Sequence, residues 1–240
     1  MPDSWRPADD WTPPSGDVID VWRLDLTVTE EDWTLLSPDE SERANRIVVE
    51  GKRNQKASSR AQLRRILSLY VDIEPRSLRF EYGEHGKPGL STHRNPSFNL
   101  SHSEVVGLVG VTRDLRVGID VEHVHEGRDF SGLANRFFSA EERAALHELS
   151  DPERPAAFYR AWTRKEAYLK ALGTGLSFPS NGFTIAYTGE GPGCVMATDM
   201  PGDDPSIWRF ADVQLGPAFM GAICFDGPER EIRWWGPDLT

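Results

Sequence analysis

Asp120 and Glu122 stand in the apolar run Val117-Gly118-Ile119-Asp120-Val121-Glu122. Side chains alternate along a strand, so Val117, Ile119 and Val121 would face a core while Asp120 and Glu122 share the opposite side. Two carboxylates in one small space repel each other unless a cation or a shared proton compensates. Magnesium, which favours oxygen ligands, suits such a pair; a solvent-facing strand with two acids fits the same letters. Further along, Phe158, Trp162, Glu166 and Leu169 are spaced to lie on one helix face, where Glu166 interrupts an apolar stripe. A carboxylate there is costly unless it is paired, hydrogen-bonded or bound to metal. Lys170, one turn on, offers a simple ion pair as the alternative to a metal.

Three more segments carry polar chemistry. Phe98-Asn99-Leu100-Ser101-His102-Ser103 places hydroxyls and an imidazole just before a Val-rich strand, at a loop-to-strand junction suited to donating hydrogen bonds to phosphate oxygens. A hydrolase would use the same residue types with serine as nucleophile, but the glycine-flanked serine turn of that chemistry is missing. Gly86-Lys87-Pro88-Gly89 is a turn presenting a cation, which alone is an ordinary loop. Arg43, Arg46, Lys52, Arg53, Lys56, Arg60, Arg64 and Arg65 concentrate positive charge that would attract a polyanionic small molecule. A solvated helix face balanced by Glu40, Glu42 and Glu50 is the alternative.

The elements that must hold these residues follow from period and capping. Trp22, Leu24, Leu26 and Val28 alternate as a strand with one buried face. Ser37, Pro38 and Glu40 form a helix start with a capping box. A second helix is expected from Gln55 to Tyr70, with Leu63, Ile66, Leu67 and Tyr70 as its apolar stripe. Leu78, Phe80 and Tyr82 alternate, and Gly83 to Gly89 reads as a loop. Val105–Val111 and Val117–Val121 read as a hairpin with Arg113 and Asp114 in the turn. Ser139 and Glu142 mark another capping box; Asp151 and Pro152 open a long helix ending at Leu172 before Gly173. Short strands are expected at Phe183–Tyr187, Ile207–Leu215, Phe219–Phe225 and Ile232–Trp235. Strands interrupted by segregated helices indicate an α+β class.

Composition narrows the function. The 240 residues, 38% hydrophobic and 27% charged, suit a globular chain able to bury its own core. A net charge of -11 argues against non-specific nucleic-acid binding. No apolar run approaches the roughly 20 residues of a membrane span, and the start lacks a secretory pattern, so a cytoplasmic protein without membrane or nucleic-acid partners is expected. Cys194 and Cys224 have no zinc-like spacing and are expected as buried, reduced thiols.

Together, Gly118-Ile119-Asp120-Val121-Glu122 and Trp162-Thr163-Arg164-Lys165-Glu166-Ala167-Tyr168-Leu169-Lys170 resemble the paired signature of the Sfp-type 4'-phosphopantetheinyl transferases, in the branch whose second motif reads Trp followed by Lys-Glu-Ala. Gly86-Lys87-Pro88 and Phe98-Asn99-Leu100-Ser101-His102-Ser103 resemble that family's two upstream motifs, in the same order, and the resemblance runs from about Ser37 to Leu176. It implies an α+β fold of two similar halves about a pseudo-twofold axis: an irregular arm at 1–16, a nucleotide-binding half at 17–116, and a half at 117–240 with the magnesium site and carrier contact. It further implies Asp120, Glu122 and Glu166 as magnesium ligands; Arg43, Arg60, Lys87, Ser101 and His102 around the 3'-phosphate and adenosine of coenzyme A; and Lys165 and Lys170 near the pyrophosphate. Glu40 stands where related enzymes can carry a lysine.

The implied reaction is attack by a serine of an apo acyl or peptidyl carrier protein, secondary-metabolite carriers among them, on the β-phosphorus of coenzyme A. Glu166 and Lys170 would serve catalysis, and a monomeric pseudo-dimer is expected. Glu142 matches a glutamate proposed as base in this family, although its capping box explains it equally; a metal-bound water is the rival. Asn135-Arg136-Phe137-Phe138-Ser139, a loop-like stretch, would meet the carrier, with Phe138 as a hydrophobic staple in the other reading. A non-catalytic coenzyme A binding or carrier-docking module and a magnesium-dependent phosphohydrolase of nucleotides are the competing functions.

Overall fold

Two strand-rich sheets lie face to face because the chain writes apolar residues at alternate positions on both sides of its central strands. The computed structural model describes residues 5–14, 16–91, 96–125, 127, 129–189 and 191–236. Its first half runs β1 (Val18–Asp25), α1 (Glu30–Leu35), α2 (Pro38–Asn45), α3 (Glu50–Val71), β2 (Phe80–Tyr82), β3 (Pro88–Leu90), β4 (Ser97–Ser103) and β5 (Val106–Thr112). Its second half runs β6 (Val117–His123), α4 (Ser131–Phe137), α5 (Ala140–Glu148), α6 (Arg154–Leu172), β7 (Phe183–Ile185), β8 (Val195–Thr198), β9 (Trp208–Gln214) and β10 (Phe219–Asp226), before β11 (Glu231–Trp235).

The second series repeats the first: a strand, three helices of which the last is the longest, a short hairpin, then two antiparallel strands. The sheets agree, with order β1-β5-β4 in one and β6-β10-β9 in the other, and β11 added in parallel beside β1. The class is α+β. Ile19, Val21, Val106 and Leu108 from one sheet meet Val117, Ile119, Val121 and Ile223 from the other in a shared core. Alternate residues of the first sheet, Trp22, Leu24, Val109 and Val111, face Leu63, Ile66 and Leu67 of α3. On the far side, Ala222 and Cys224 of β10 face Ala167, Leu169 and Ala171 of α6. Helix, sheet, sheet and helix therefore form four layers.

This layering corrects several expectations. β1 begins at Val18 and is buried on both faces, because the second sheet covers the side that the sequence pattern assigns to solvent. β5 and β6 do not form a hairpin. Both edges of β5 are taken by β1 and β4, and β6 pairs with β10 in the facing sheet. Phe98–Ser103 belongs to β4 itself rather than to a junction before it, and Asn135–Phe137 are helical within α4. α3 starts at Glu50 and α6 at Arg154, with 151–153 forming a turn ahead of it. Cys194 is exposed; Cys224 is buried. The capping boxes at Ser37 and Ser139 form, as does one at Thr29 with Asp32 that opens α1.

The tryptophans at both ends of the chain meet at Asp20, a buried carboxylate on β1. It accepts hydrogen bonds from Tyr70 Oη (2.6 Å), Trp235 Nε1 (2.7 Å), Arg233 Nε and Nη2 (2.7 and 2.8 Å) and Trp11 Nε1 (3.3 Å). The arm before β1 and the last strand are thus tied to one charge that carries its own counter-ion. Trp5 adds an edge-to-face contact with Trp234 at 5.5 Å.

β6 lies directly on α6. A Cβ at Gly118 would stand 2.0 Å from the carbonyl oxygen of Ala167 and 2.3 Å from the amide nitrogen of Ala171. Only glycine permits that approach. Gly118→Ala is expected to lower stability by at least ~3 kcal/mol, the upper end of overpacking costs, read from the urea midpoint. Gly51→Ala, where an added Cβ meets nothing within 4 Å on α3, is expected to be neutral or stabilising by up to ~1 kcal/mol. A wild-type midpoint for Gly118→Ala would rule out the strand–helix contact.

Candidate functional site

The period of two that sets Gly118 against α6 turns Asp120 and Glu122 toward the same helix. Asp120 is 4% exposed. Its Oδ1 lies 2.7 Å from Lys170 Nζ and accepts a 2.9 Å hydrogen bond from Ser101 Oγ. Its Oδ2 is buried with no hydrogen-bond partner in the protein. Trp162 Nε1 donates to Glu122 Oε1 at 3.3 Å. Glu166 follows Trp162 by one turn and precedes Lys170 by one turn, so α6 presents all three to β6.

Burial, then the negative charge of Asp120, raises the pKa of both Glu122 and Glu166, against the opposing pull of Lys170. The three acids are therefore within electrostatic reach of one another. Among the described residues no group of three or more His, Cys, Asp or Glu side chains is closed to the spacing of a metal site. The donor set still fits a hard divalent cation: three carboxylates against one ammonium, with an unpartnered buried oxygen on Asp120.

β4 supports this site from the side. Its residues 99, 101 and 103 share one face, and each bonds β6: Ile119 N donates to Asn99 Oδ1 (2.9 Å), Ser101 Oγ to Asp120, and His123 N to Ser103 Oγ (3.0 Å). Ser101, expected at the adenosine end, instead lies among the carboxylates and receives a 2.9 Å bond from Lys170. His102 points the other way and is exposed. Its pKa is lowered by partial desolvation, then by Lys56 and Lys170, so both cations are within electrostatic reach of it.

A cavity of about 220 Å³ opens beside β4, lined by Arg43, Lys56, Arg60, Tyr82 and Glu40. Arg43 lies over the Tyr82 ring at 4.9 Å and Arg60 over Phe80 at 3.8 Å, so aromatic faces hold both guanidinium groups. Burial, then the charges of Arg60 and Arg43, lower the pKa of Lys56. Arg43, Arg60 and Lys56 thus concentrate positive charge at this cavity, and His102 is within electrostatic reach of both Lys56 and Lys170. Lys56 was not singled out within the basic stretch; its position four residues before Arg60, on the same helix face, is the signal that finds it.

Glu40 is buried and pairs with Arg60 Nε and with Arg64 Nη2 at 2.7 Å. Burial alone would raise its pKa, but the charge of Arg60, the Ser37 amide and Arg64 leave it lowered. Arg64 is interior and donates to the carbonyls of Pro75 (2.7 Å) and Leu78 (3.1 Å). It belongs to the fold rather than to the cavity.

Two expected binding residues are placed elsewhere. Lys87 Nζ donates to the carbonyls of Lys170 (2.6 Å), Val117 (2.9 Å) and Ala171 (3.2 Å), closing the C-terminal end of α6 onto the start of β6. Burial pushes its pKa down to about 8. It lines a separate cavity of about 500 Å³ with Phe98 and Arg116, not the one holding Arg43 and Arg60. Lys165 leaves α6 on the side away from Glu166. Its Nζ contacts both oxygens of Glu142 (2.7 and 2.9 Å) and the carbonyl of Phe183 (2.9 Å). Burial lowers its pKa despite Glu142.

Glu142 is 1% exposed. Besides Lys165 it accepts from the amides of Ser139 (2.8 Å) and Ile185 (2.8 Å), which leaves neither oxygen open to a substrate hydroxyl. Phe138 is likewise internal, stacked on Phe158 at 5.3 Å, whereas Asn135 and Arg136 are exposed on α4. Arg164, on the same helix, grips Asp212 of β9 with Nε and Nη2 at 2.8 and 2.9 Å and so fixes α6 on its sheet.

Residues 116–224, which span β6 to β10, match the family model of the 4'-phosphopantetheinyl transferase superfamily. The chain is 38% identical over 168 residues to the 4'-phosphopantetheinyl transferase HetI of Nostoc sp., covering 67% of this chain and 71% of that protein. It is 25% identical over 197 residues to the 4'-phosphopantetheinyl transferase Sfp of Bacillus subtilis, covering 82% and 84% respectively. Among solved structures, holo-[acyl-carrier-protein] synthase of Thermotoga maritima aligns with a TM-score of 0.37 at 21% identity, over 48% of this chain and 66% of that one. By its identity to HetI over most of both chains, with β6 and α6 inside the matched segment, this chain is a member of the 4'-phosphopantetheinyl transferase superfamily.

Proposed function

We propose that the protein moves the 4'-phosphopantetheine of coenzyme A to a serine of an apo acyl or peptidyl carrier protein, with magnesium and with release of 3',5'-ADP. The observation that carries this reading is a basic cavity of Arg43, Lys56 and Arg60 together with three carboxylates beside Lys170 that fit a divalent cation, with His102 within electrostatic reach of both Lys56 and Lys170. Coenzyme A has the matching pattern, a 3'-phosphate at one end of its nucleotide and a pyrophosphate at the other.

Asp120, Glu122 and Glu166 would hold magnesium, whose chemistry when bound is to offset charge on the pyrophosphate oxygens. Lys170 would offset the remainder, released from Asp120 for that contact, with Ser101 steadying both. Trp162 orients Glu122. The serine oxygen attacks the β-phosphorus and gives up its proton to solvent water in the cleft, the bond from the β-phosphorus to the bridging oxygen breaks, and 3',5'-ADP departs. Glu142, with no free lone pair, is assigned to holding α5 and β7 on α6 through Lys165 rather than to taking the serine proton. Exposed Asn135 and Arg136 on α4 are the proposed carrier contacts from the aromatic segment; buried Phe138 supports them. No helix of the described residues is long and apolar enough to cross a membrane. We place the enzyme in the cytoplasm as a monomer whose two halves form the cleft.

Incubation with coenzyme A, magnesium and a panel of apo carriers is expected to add one phosphopantetheine mass to a carrier, without release of inorganic phosphate. Glu166→Gln is expected to lower turnover by roughly 100-fold or more, the scale of losing one transition-state charge contact. Folded Glu166→Gln with full turnover would remove Glu166 from the proposed metal site, and failure of the unaltered chain to modify any carrier would return it to a coenzyme-binding module. Lys56→Ala is expected to raise the KM for coenzyme A by about 10-fold or more, from the ~1.5–3 kcal/mol of a charged hydrogen bond, and to leave the KM for dephospho-coenzyme A unchanged. Equal effects on both would remove the 3'-phosphate from this cavity. Lys165→Met is expected to cost about 3–5 kcal/mol of stability by leaving Glu142 buried and unpaired, and Glu142→Gln with Lys165→Met to recover much of it. If the double variant is stable yet inactive with a normal KM, Glu142 is the base after all.

A further inference from the structure

β6 ends past the carboxylates at His123, and His125 follows two residues on; their Nδ1 atoms lie 3.3 Å apart. Residues two apart on extended backbone share a face. His123 continues the row of Val117, Ile119 and Val121, Asp120 and Glu122 occupy the other row, and the His125 ring packs on that of His123 with centroids 4.6 Å apart. The two imidazoles are therefore on the opposite side of the strand from the acids. His123 is partly buried and meets Phe219 edge to face at 5.0 Å, while His125 is exposed.

The backbone beneath both rings is fixed. His123 N donates to Ser103 Oγ at 3.0 Å, Val124 N to the carbonyl of Ala218 at 2.8 Å, and His125 N to Tyr159 Oη at 3.2 Å. Three consecutive amides are thus tied to three separate parts of the fold, which holds the backbone that carries the rings. The separation itself is informative. Hydrogen bonds from nitrogen fall mostly within ~2.7–3.2 Å. A tetrahedral zinc ion with Zn–N bonds of ~2.0–2.1 Å has neighbouring ligand nitrogens ~3.3–3.4 Å apart. The observed 3.3 Å is a hydrogen-bond contact between the two rings, and it is also the spacing at which two nitrogens can share one such ion.

We propose that His123 and His125 form a binding site for a borderline transition-metal ion of the zinc class, taken between the two Nδ1 atoms, with water or an exogenous ligand completing the tetrahedron. Imidazole nitrogen selects this class over magnesium, which prefers oxygen. The site is thereby separate in chemistry, as well as in position, from the carboxylates, and it stands whether or not the proposed transfer reaction is correct.

The test is calorimetric titration of zinc chloride into the untagged full chain in saturating magnesium, with cobalt(II) absorption as a report of tetrahedral geometry. One equivalent of zinc is expected to bind and to resist displacement by magnesium. Removing a direct ligand should weaken binding at least as much as the ~10–100-fold seen for outer contacts, so His125→Ala and His123→Ala are expected to lose at least ~10-fold in affinity. Glu166→Gln and Cys194→Ser are expected to bind as the unaltered chain does. Absence of zinc binding, displacement by magnesium, unaltered affinity in both histidine variants, or loss in Glu166→Gln or Cys194→Ser would overturn the proposal. His125→Gln, at an exposed position and checked by its thermal melt, separates loss of a ligand from loss of fold; a variant that melts normally and binds zinc fully also overturns it.

Discussion

The absence of a side chain at Gly118 is the constraint on which the site depends. It lets β6 lie on the backbone of α6, and the strand's period then carries Asp120 and Glu122 onto the helix face bearing Trp162, Glu166 and Lys170. Lys87 reinforces the junction by donating to carbonyls of both elements. Asn99, Ser101 and Ser103 hold β6 from the other half through side chains, without a backbone ladder. The acids are thus clamped between two halves, and their burial and mutual repulsion raise the pKa of Glu122 and Glu166.

Charge in this acidic chain is sorted by whether its partners are used up. Arg64, Lys87 and Lys165 are cations spent on the fold: carbonyls or a buried glutamate meet their donors. Arg43 and Lys56 line the smaller cavity, and Lys170 is held by groups that a phosphate could replace. Arg60 is intermediate, since Glu40 takes its Nε while Tyr82 takes one terminal nitrogen. A polyanion would therefore meet attraction at the Arg43 and Lys56 cavity, even though the net charge is -11.

The arm before β1 and strand β11 close the first sheet. Buried Asp20 collects donors from the N-terminal arm, α3 and β11, and β11 covers the edge of β1 that would otherwise be open. Among the described residues the second sheet has no such added strand. That difference departs from the otherwise repeated order of elements, and it lies away from the carboxylates.

Much of this was determined locally. Alternation placed Asp120 and Glu122 on one side of a strand and Val117, Ile119 and Val121 on the other, helical spacing set Glu166 and Lys170 on one face, and capping boxes located α2 and α5, because each depends only on residues a turn or a pleat apart. Tertiary structure decided which partner each element and each charge received. The β5–β6 pair reads as a hairpin until one knows that β1 and β4 occupy both edges of β5. Lys87, Lys165 and Glu142 read as catalytic or binding groups until their hydrogen bonds are counted. Strand pairing and hydrogen-bond saturation join residues far apart in the chain, so no local pattern specifies them.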